Sequence, residues 1–294
     1  MISGKGRVMA IAKLRMIVWN VKRGNAISLH LPNGKVVMVD CGSSDDVSPV
    51  SELKRQGVDT IHTLIITHPH SDHMADIEII RKSGMGPNVL LRPNGIPCED
   101  IKNGNTDQEV VNAYLAIDSR YIYPVALEND ICNPACTAGV GFKVFKPNKY
   151  SASDLNNRSL VVVLTYGGTT ILLPGDCTPA AMKELLENHS FVDAIKGTNV
   201  LIAPHHGHES CYCKELMELI RPWICIASDG RDVQEVSAIS KYGEYCSGIR
   251  FRNRDRQVDR RVCLTTRYDG DIVVDIPCCG GVFVNTIGSG LEQC

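Results

Sequence analysis

Short apolar runs that stop abruptly at glycine, aspartate or histidine recur along this chain. Runs of four to eight aliphatic residues with many β-branched side chains are typical of strands that are buried on both faces. The predicted strands are 16–21, 26–31, 36–39, 63–67, 89–92, 141–145, 159–166, 169–173, 200–203, 223–227, 262–266 and 272–276. Two of the turns between them predict hairpins, one at Gly167-Gly168 and one at Tyr268-Asp269-Gly270.

Helical segments alternate with these strands. Ser48 followed by Pro49 is a typical helix start, with a capping hydroxyl and a proline at the first helical position. The predicted helices are 47–56, 76–83, 107–118, 179–188 and 211–220. Strands followed by helices, twice over, predict an α/β protein built from layers. We expect one domain over residues 15–277, with an N-terminal leader at 1–14 and a C-terminal tail at 278–294.

The charge balance limits the ways in which this chain can bind nucleic acid. Its formal net charge is -2, so no global positive field attracts polyanions, and a nucleic-acid substrate would need a local basic patch. One candidate patch exists, although a solvated loop explains it equally well. It consists of Arg250, Arg252, Arg254, Arg256, Arg260 and Arg261.

The 13 cysteines favour a reducing compartment. Their number is odd and many lie in apolar runs, as Cys225 does, so free thiols are expected. The N-terminus lacks the apolar stretch of a signal peptide, and no run reaches the roughly 18 apolar residues that cross a bilayer. We therefore expect a cytoplasmic protein that has no membrane part.

The strongest chemical signal lies directly after the predicted strand 63–67. Three histidines and an aspartate fall within six residues there: His68, His70, Asp72 and His73. Chance clustering is a poor explanation, because four of the nine histidines in the chain lie between 62 and 73. Imidazole and carboxylate ligands suit zinc, manganese or iron. One short loop cannot easily place all four groups on one ion, so the spacing favours two ions.

Two later strand ends supply further ligand-type residues. Asp176 follows the strand 169–173, and its carboxylate is suited to bridge two cations. His205 and His206 follow the strand 200–203, and one of them can bind metal while the other meets substrate or donates a proton. Three apolar strands that each end in ligand-type residues predict a common site at one edge of a sheet.

The His-x-His-x-Asp-His pattern at 68–73 resembles the signature of the metallo-β-lactamase superfamily. Further segments resemble, in order, the hydrolase domain of ComEC-type DNA-internalisation proteins, and they are 20–26, 39–42, 157–161, 172–176, 204–207 and 265–272. The resemblance covers roughly 15–277. It implies a four-layer αββα metallo-β-lactamase sandwich that forms a hydrolase domain over these residues.

The resemblance also implies a metal-dependent hydrolase, foremost a phosphodiesterase or nuclease, that uses a hydroxide bridged by two divalent ions. Zinc is the first choice for these ions and manganese the second. The implied ligand sets share one carboxylate, with His68, His70 and Asp176 on one ion, and Asp72, His73, Asp176 and His206 on the other. The implied catalytic residues are Asp72, His205 and His206, with His205 facing the substrate. Asp40 would support a ligand histidine from behind.

One departure from the family pattern leaves the chemistry open. Many members of the superfamily carry a ligand histidine between the first motif and the bridging aspartate, but this chain has none between His73 and His189. The corresponding metal position is therefore open, weaker or completed by water. Two other functions remain as alternatives: a hydrolase of a small phosphoester, thioester or lactam, and a non-catalytic metal-binding module of the same fold.

Overall fold

Two β-sheets lie face to face in the computed structural model, which describes residues 12–230, 237–252 and 258–287. The strands in chain order are β1 (Lys13–Val18), β2 (Ala26–His30), β3 (Val36–Cys41), β4 (Thr63–Ile65), β5 (Val89–Leu91), β6 (Gly141–Phe145), β7 (Val161–Tyr166), β8 (Thr169–Leu173), β9 (Val200–Ile202), β10 (Ile224–Ala227), β11 (Ile249–Arg252), β12 (Val258–Arg261), β13 (Cys263–Thr265), β14 (Asp271–Pro277) and β15 (Phe283–Ile287). Within this part of the chain, one sheet has the order β12-β11-β15-β14-β1-β2-β3-β4-β5 and the other the order β13-β10-β9-β8-β7-β6.

Helices cover the outer face of each sheet. They are α1 (Pro49–Arg55), α2 (Ile77–Ser83), α3 (Cys98–Asn103), α4 (Gln108–Asp118), α5 (Pro179–Leu186), α6 (His189–Ile195), α7 (Lys214–Ile220), α8 (Ile239–Gly243) and α9 (Thr266–Asp269). Helix α1 begins as the sequence predicts, because the Ser48 hydroxyl caps it by accepting a hydrogen bond from the backbone N–H of Ser51. Among the residues that the structure describes, no helix is long and apolar enough to cross a bilayer.

Three apolar cores separate the four layers. The central core lies between the sheets and contains alternate strand residues such as Val37 and Val39 of β3. Met38, between them, points the other way into the core beneath α1, α2 and α4. The third core lies between the second sheet and the helices from α5 to α8. Burial on both faces explains the continuous apolar runs, and the predicted four-layer αββα sandwich is confirmed.

Parallel pairing brings the ends of several strands to one edge. Strands β3, β4 and β5 are parallel to one another in the first sheet, and β8, β9, β10 and β13 are parallel in the second. Parallel neighbours end at the same side of a sheet, so the segments that follow them become neighbours. The segments after β4, β8 and β9 carry the three predicted groups of ligand residues.

One of the two predicted hairpins is confirmed, the other is wrong, and the first sheet extends further along the chain than the sequence predicts. The hairpin at Gly167-Gly168 is confirmed, because β7 and β8 pair antiparallel. The hairpin at Tyr268-Asp269-Gly270 is wrong, because β13 belongs to the second sheet and β14 to the first, with α9 between them. Strand β15 pairs with β14, so the first sheet extends into residues that the sequence analysis placed in the tail. The domain boundaries themselves stay predictions.

The arginine run predicted as a basic patch belongs to the outermost strands of the first sheet. Arg250 lies on β11, and Arg260 and Arg261 lie on β12, which pairs with it. The guanidinium of Arg260 donates to the carbonyl of Ser247, and that of Arg261 lies 3.8 Å from the Asp269 carboxylate. Arg254 and Arg256 lie outside the described residues, and contact between this run and a polyanion stays a prediction.

Candidate metal centre

The segment after β4 brings the rings of His68, His70 and His73 together. His68 and His73 are fully buried, and a tight 3-10 turn at Ser71–His73 brings the chain back on itself. Nε2 of His68 lies 2.9 Å from Nδ1 of His70. Two ring nitrogens this close, one from each end of a His-x-His pair, are spaced as two donors to one cation would be.

Asp40 anchors this segment from behind, as the resemblance implies. It is fully buried at the end of β3 and adopts a left-handed backbone with φ 57°. Its carboxylate accepts hydrogen bonds from the backbone N–H of Thr67 at 2.7 Å and from Nδ2 of Asn25 at 2.9 Å, and Nδ1 of His73 lies 2.7 Å away. Because a carboxylate accepts, Nδ1 of His73 donates to it, and Nε2 is left facing the site.

Asn105 is a second anchor, which the sequence analysis missed. It follows α3, and its Oδ1 accepts from the backbone N–H and the hydroxyl of Ser71, both at 2.6 Å. Its Nδ2 donates to the carbonyl of Pro69 at 2.8 Å and to that of Ile101 at 2.7 Å. Asn105 lies in the stretch from 93 to 140, where the sequence shows no motif, so no local signal could have identified it.

Two glycines allow the backbone to approach Asp72 closely. A Cβ atom at Gly24 would lie 2.3 Å from the carbonyl oxygen of Asp72, and one at Gly42 would lie 2.4 Å from the same oxygen. Both distances are far below ordinary contact. The glycines of the segments 20–26 and 39–42 are therefore required by space, because any side chain there would displace the metal-binding loop.

Asp176 enters the site from the second sheet. Its backbone N–H donates to the hydroxyl of Ser159 at 3.1 Å, and the next turn is held by Asn157, which accepts from Thr178. These contacts give the segment 157–161 a physical role, since it fixes the turn that follows β8. Oδ2 of Asp176 lies 3.7 Å from Nε2 of His68 and 3.4 Å from Nε2 of His73.

His205 and His206 form the third side of the site. Both have left-handed backbones, with φ 49° and 57°, in the tight turn at Pro204–Gly207 that follows β9. Nε2 of His206 lies 3.3 Å from Oδ2 of Asp72 and 3.9 Å from Oδ2 of Asp176. Nε2 of His205 lies 3.8 Å from the same Asp176 atom. The structure therefore brings the ligand residues predicted from the three strand ends into one cluster.

The donor atoms of this cluster fit divalent cations. Two groups of three have donor atoms that all lie within 4.8 Å of one another: His68, His73 and Asp176, and Asp72, His73 and His206. Nε2 of His73 and Nε2 of His206 are buried without a hydrogen-bond partner, although each faces a carboxylate. Buried polar atoms are seldom left unsatisfied, and a cation between the nitrogens and the carboxylates would satisfy them. His73 belongs to both groups, whereas the sequence analysis assigned it to one ion.

The electrostatics of the site also favour cations. Burial would raise the pKa of the Asp176 carboxyl, but His73 and His68 outweigh it and hold this pKa well below its usual range. Burial and the neighbouring His73 lower the pKa of His68 well below its usual value. Ionised carboxylates and neutral imidazoles are the forms that bind metal.

His73 is the exception, and its charge has a clear cause. Burial would lower the pKa of this imidazole, but the carboxylates of Asp176, Asp40 and Asp72 raise it well above its usual value. Without a cation, His73 therefore holds a proton between these carboxylates. Binding of a cation would displace that proton, because ligand nitrogens must be deprotonated.

An open cleft leads from the protein surface to this cluster. Asp72, His205, His206 and His208 line it, together with Asp229. Three basic side chains also line it: Lys22 and Arg23 between β1 and β2, and Arg267 on α9. Arg23 lies in the segment 20–26 and Arg267 in the segment 265–272, both of which take part in the resemblance described above.

Comparison with known proteins finds similarity to metal-dependent enzymes. Residues 20–94 match the model of the metallo-beta-lactamase superfamily. The chain is 24% identical over 180 residues to "ComE operon protein 3" of Bacillus subtilis, and 25% identical over 218 residues to "Recombination protein 2" of Haemophilus influenzae. These matches include 61% and 69% of this chain but only 21% and 23% of the relatives, so the chain spans less than a quarter of their length.

A shorter relative matches over most of its own length. The chain is 28% identical over 201 residues to a "UPF0173 metal-dependent hydrolase" of Aeropyrum pernix, which covers 66% of this chain and 74% of that protein. Among solved structures, a diphosphatase of the PhnP family overlays with a TM-score of 0.44 at 11% identity, covering 90% of this chain and 99% of the other. That overlay is too loose to support an inference about activity.

Proposed function

We propose that the chain is a metal-dependent hydrolase that cleaves phosphodiesters, with nucleic acid as the first candidate substrate; the match of residues 20–94 to the metallo-beta-lactamase superfamily supports the hydrolase part of this proposal. The single observation that carries this proposal is the basic rim of the cleft, formed by Lys22, Arg23 and Arg267 beside the metal-binding cluster. Outside the metal-binding cluster the cleft lining has these three cationic side chains and one carboxylate, Asp229, so cationic groups prevail there and favour an anionic ligand. A neutral lactam gains nothing from such a rim.

The loop that carries Lys22 and Arg23 is fixed to the site. The Ser228 hydroxyl donates to the carbonyl of Gly24 at 2.7 Å, and Gly24 itself packs against Asp72. On the other side, a Cβ atom at Gly230 would lie 2.9 Å from the backbone carbon of Lys22. The backbone from which the Lys22 and Arg23 side chains extend is therefore fixed beside the metal-binding loop.

The three basic residues differ in how far they are neutralised. Lys22 contacts the exposed Asp46 carboxylate at 2.6 Å, and Arg267 lies 3.8 Å from Asp229. Arg23 is exposed, and the part of the chain that the structure describes offers it no ion-pair partner. Arg23 is therefore the residue on this rim with the most charge left for a substrate phosphate.

Divalent cations held by the cluster would supply a Lewis acid for the phosphoryl oxygens and lower the pKa of a water molecule towards neutrality. The chain itself supplies orientation and proton transfer. Asp72 offers a carboxylate oxygen in the lining of the cleft to accept a hydrogen bond from the attacking water. Nδ1 of His208 accepts from the backbone N–H of Ser210 at 3.1 Å, so the neutral ring carries its proton on Nε2, which can donate a hydrogen bond to the leaving oxygen.

A substrate panel tests this proposal directly. The full chain, loaded with Zn²⁺ or Mn²⁺, is assayed on single-stranded DNA, bis(p-nitrophenyl) phosphate, a phosphomonoester, a glutathione thioester and a chromogenic lactam. We expect turnover of the diesters above all others. His70→Ala and Asp176→Ala should abolish it while circular dichroism shows an intact fold. Preference for the monoester, thioester or lactam would refute the diester assignment, and no turnover with full metal loading would indicate a non-catalytic binding module.

The contribution of the rim is tested with Arg23→Ala. Loss of one phosphate contact should weaken binding of an oligonucleotide and reduce the slope of log K against log salt by about one. We measure KM for the oligonucleotide at several salt concentrations from low to moderate and compare the slopes. The control is Arg55→Ala, since Arg55 is an exposed arginine of α1 that pairs with Glu52 away from the cleft. Equal salt slopes for the wild type and Arg23→Ala would remove Arg23 from the substrate site.

A further inference from the structure

We propose that Cys246 and Cys263 form a reversible disulfide when the chain meets a peroxide, and that this oxidation acts through α8 on the loop 204–208, which carries His205 and His206. Both thiols are free in the structure. The disulfide itself rests neither on the cations nor on the substrate of the proposed function. Its effect on the loop 204–208 rests on the metal centre alone.

Three thiols from three parts of the chain meet beside α8. Cys225 on β10 and Cys263 on β13 are directly opposite partners in two parallel strands. Cys246 follows α8, and side-chain hydrogen bonding joins the thiol of Cys263 to the thiols of both Cys225 and Cys246. All three cysteines belong to, or pack against, the core between the second sheet and its helices. Cys263 is therefore the central member of this group.

Helix α8 keeps the sulfurs of Cys246 and Cys263 close to each other. Sγ of Cys246 lies 3.3 Å from the carbonyl oxygen of Tyr242, and Sγ of Cys263 lies 3.4 Å from that of Ile239. Residues three positions apart share one face of a helix, so both sulfurs lie against the same side of α8. A Cβ atom at Gly243 would lie 3.7 Å from Sγ of Cys263. The lack of a side chain at this glycine leaves that sulfur less covered.

The position of Cys246 makes it a better partner for Cys263 than Cys225 is. Cys225 is fully buried on β10, which pairs with β9 on one side and with β13 on the other. Its sulfur could approach Cys263 only if paired strands shifted. Cys246 is half-buried in the segment between α8 and β11. It can therefore approach Cys263 without disturbing a sheet, and a small oxidant can reach it.

Cys263 is the thiol of this group that ionises most readily. Hydrogen bonding from Cys225 and Cys246 outweighs burial and lowers the pKa of the Cys263 thiol, and Arg261 lowers it further. The bond to Cys263 and burial raise the pKa of Cys246. While it is protonated, the Cys263 thiol donates to the carbonyl of Ile239. The thiolate is the form that attacks peroxides, so Cys263 attacks first and Cys246 then forms the bridge.

The oxidation takes two steps. The Cys263 thiolate attacks one oxygen of hydrogen peroxide, the O–O bond breaks, and the leaving hydroxide takes up a proton to become water. Cys263 is then a sulfenic acid. The sulfur of Cys246 attacks the Cys263 sulfur, the S–O bond breaks, and the hydroxyl leaves as a second water with the thiol proton of Cys246. Two thiols are thereby oxidised to one disulfide, and the peroxide is reduced to two molecules of water.

Helix α8 connects this pair of cysteines to the candidate metal centre. Directly before the helix, the backbone N–H of Ala238 donates to the carbonyl of Gly207 at 2.9 Å. Ile239, whose carbonyl faces Cys263, also packs here, because a Cβ atom at Gly207 would lie 3.2 Å from its Cδ1. A disulfide brings two sulfurs closer together than two thiols in contact. Its formation should draw α8 towards β13 and displace the loop 204–208 to which α8 is bonded.

Disulfide mapping of the full chain tests the first half of the proposal. The metal-free protein is treated with a small excess of hydrogen peroxide, free thiols are blocked with N-ethylmaleimide, and the chain is digested with trypsin without reduction. The three cysteines fall in the separate tryptic peptides 215–231, 242–250 and 262–267. We expect 242–250 linked to 262–267 in a product that dithiothreitol separates. Absence of this product, or a link from 215–231 to 262–267 in its place, would overturn the proposal.

Cobalt binding tests the second half. Reduced and peroxide-treated chains, freed of peroxide, are titrated with Co²⁺, and binding is followed by visible absorption. We expect oxidation to lower Co²⁺ affinity by about 10-fold, at the lower end of the loss typical when contacts that support a metal ligand are removed. Reduction, followed by removal of the reductant, should restore the affinity.

Two serine variants assign the effect to this pair. In Cys246→Ser, peroxide should leave Co²⁺ affinity unchanged, because the bridge cannot form. Cys132→Ser, which removes an exposed cysteine between α4 and β6, should respond like the wild type. Unchanged affinity in the bridged wild type, or an equal loss in Cys246→Ser, would overturn the link to the metal centre.

These outcomes are separate from those of the proposed function. If the reduced wild type binds no Co²⁺, the metal centre fails and the link fails with it, whereas mapping alone decides whether the bridge forms. If the substrate panel shows no diester turnover, both halves of this inference still stand, since neither depends on the substrate.

Discussion

The two loops that meet at the candidate metal centre are held in different ways. The loop 68–73 of the first sheet is fixed by side chains from distant parts of the chain, chiefly Asp40 and Asn105. The loop 204–208 of the second sheet has left-handed residues at 205 and 206, and main-chain hydrogen bonds tie it to Gly175 and Ala238. The first loop therefore depends on distant side chains, and the second depends on its backbone conformation and backbone hydrogen bonds.

This difference predicts where the site is vulnerable. Every anchor of the loop 68–73 is a polar contact whose loss leaves a buried group without a partner, so single substitutions there should be costly. The loop 204–208 is held mostly by main-chain bonds: the N–H of His205 donates to the carbonyl of Gly175 at 3.2 Å, and the N–H of Ala238 donates to the carbonyl of Gly207 at 2.9 Å. Its side-chain contacts include those of His205 with Cys211 and of His208 with Ser210. Substitutions around it should act more weakly, because the backbone of the turn remains.

The largest effect should come from Asp40→Asn. Asparagine has one acceptor oxygen and no charge, so it cannot accept the hydrogen bonds from Thr67, Asn25 and His73 as the carboxylate does. Some of these buried donors would then lack a partner. We expect unfolding free energy to fall by about 3–5 kcal/mol, measured by urea denaturation of the metal-free chain. Asp193→Asn is the control, because Asp193 forms an exposed pair with Lys196 that should contribute at most about 1 kcal/mol. Equal losses in both variants would contradict the role of Asp40 as an anchor.

Asn105→Ala should have the next largest effect. It removes four hydrogen bonds that hold Pro69 and Ser71 against α3, and it leaves the ligands themselves in place. We expect Co²⁺ affinity to fall by about 10–100-fold, as is typical for contacts that orient ligands. Asn103→Ala, at an exposed position two residues earlier, should bind Co²⁺ like the wild type. Equal affinity of Asn105→Ala and Asn103→Ala would show that the loop 68–73 needs no external anchor.

The smallest effect should come from Cys211→Ala on the other loop. This substitution removes the sulfur next to Nδ1 of His205 but leaves the left-handed turn intact. We expect Co²⁺ affinity to fall by less than about 10-fold, which is less than the loss typical when contacts that orient a metal ligand are removed. Cys211→Ser should restore most of it by keeping a polar group at this position. A loss as large as that of Asn105→Ala would abolish the contrast between the two loops.

The sequence predicted the parts of the site that are local in the chain. His68, Asp176 and His205 could be identified because each follows a short apolar run, and parallel strands bring such ends together. Their assignment as ligands stays a prediction. Asn105 could not be found, because its role arises only when α3 packs beside the metal-binding loop.

The wrong hairpin has a related cause. Tyr268-Asp269-Gly270 resembles a tight turn between two strands, but β13 pairs with β10 and β14 pairs with β1. Alternation of apolar residues predicts that a segment is a strand, yet it does not determine which sheet the strand joins. That choice depends on pairing with strands that are far away in the sequence, such as β1 at Lys13–Val18.

The candidate centre lies on the seam between the two halves of the sandwich. Asp72 and His73 follow β4 of the first sheet, whereas Asp176 and His206 follow β8 and β9 of the second. A cation bound by both sets would act as a clasp that joins the halves. Binding of a cation would then stabilise the folded state by mass action. Loss of metal would therefore lower the stability of the whole domain as well as its activity.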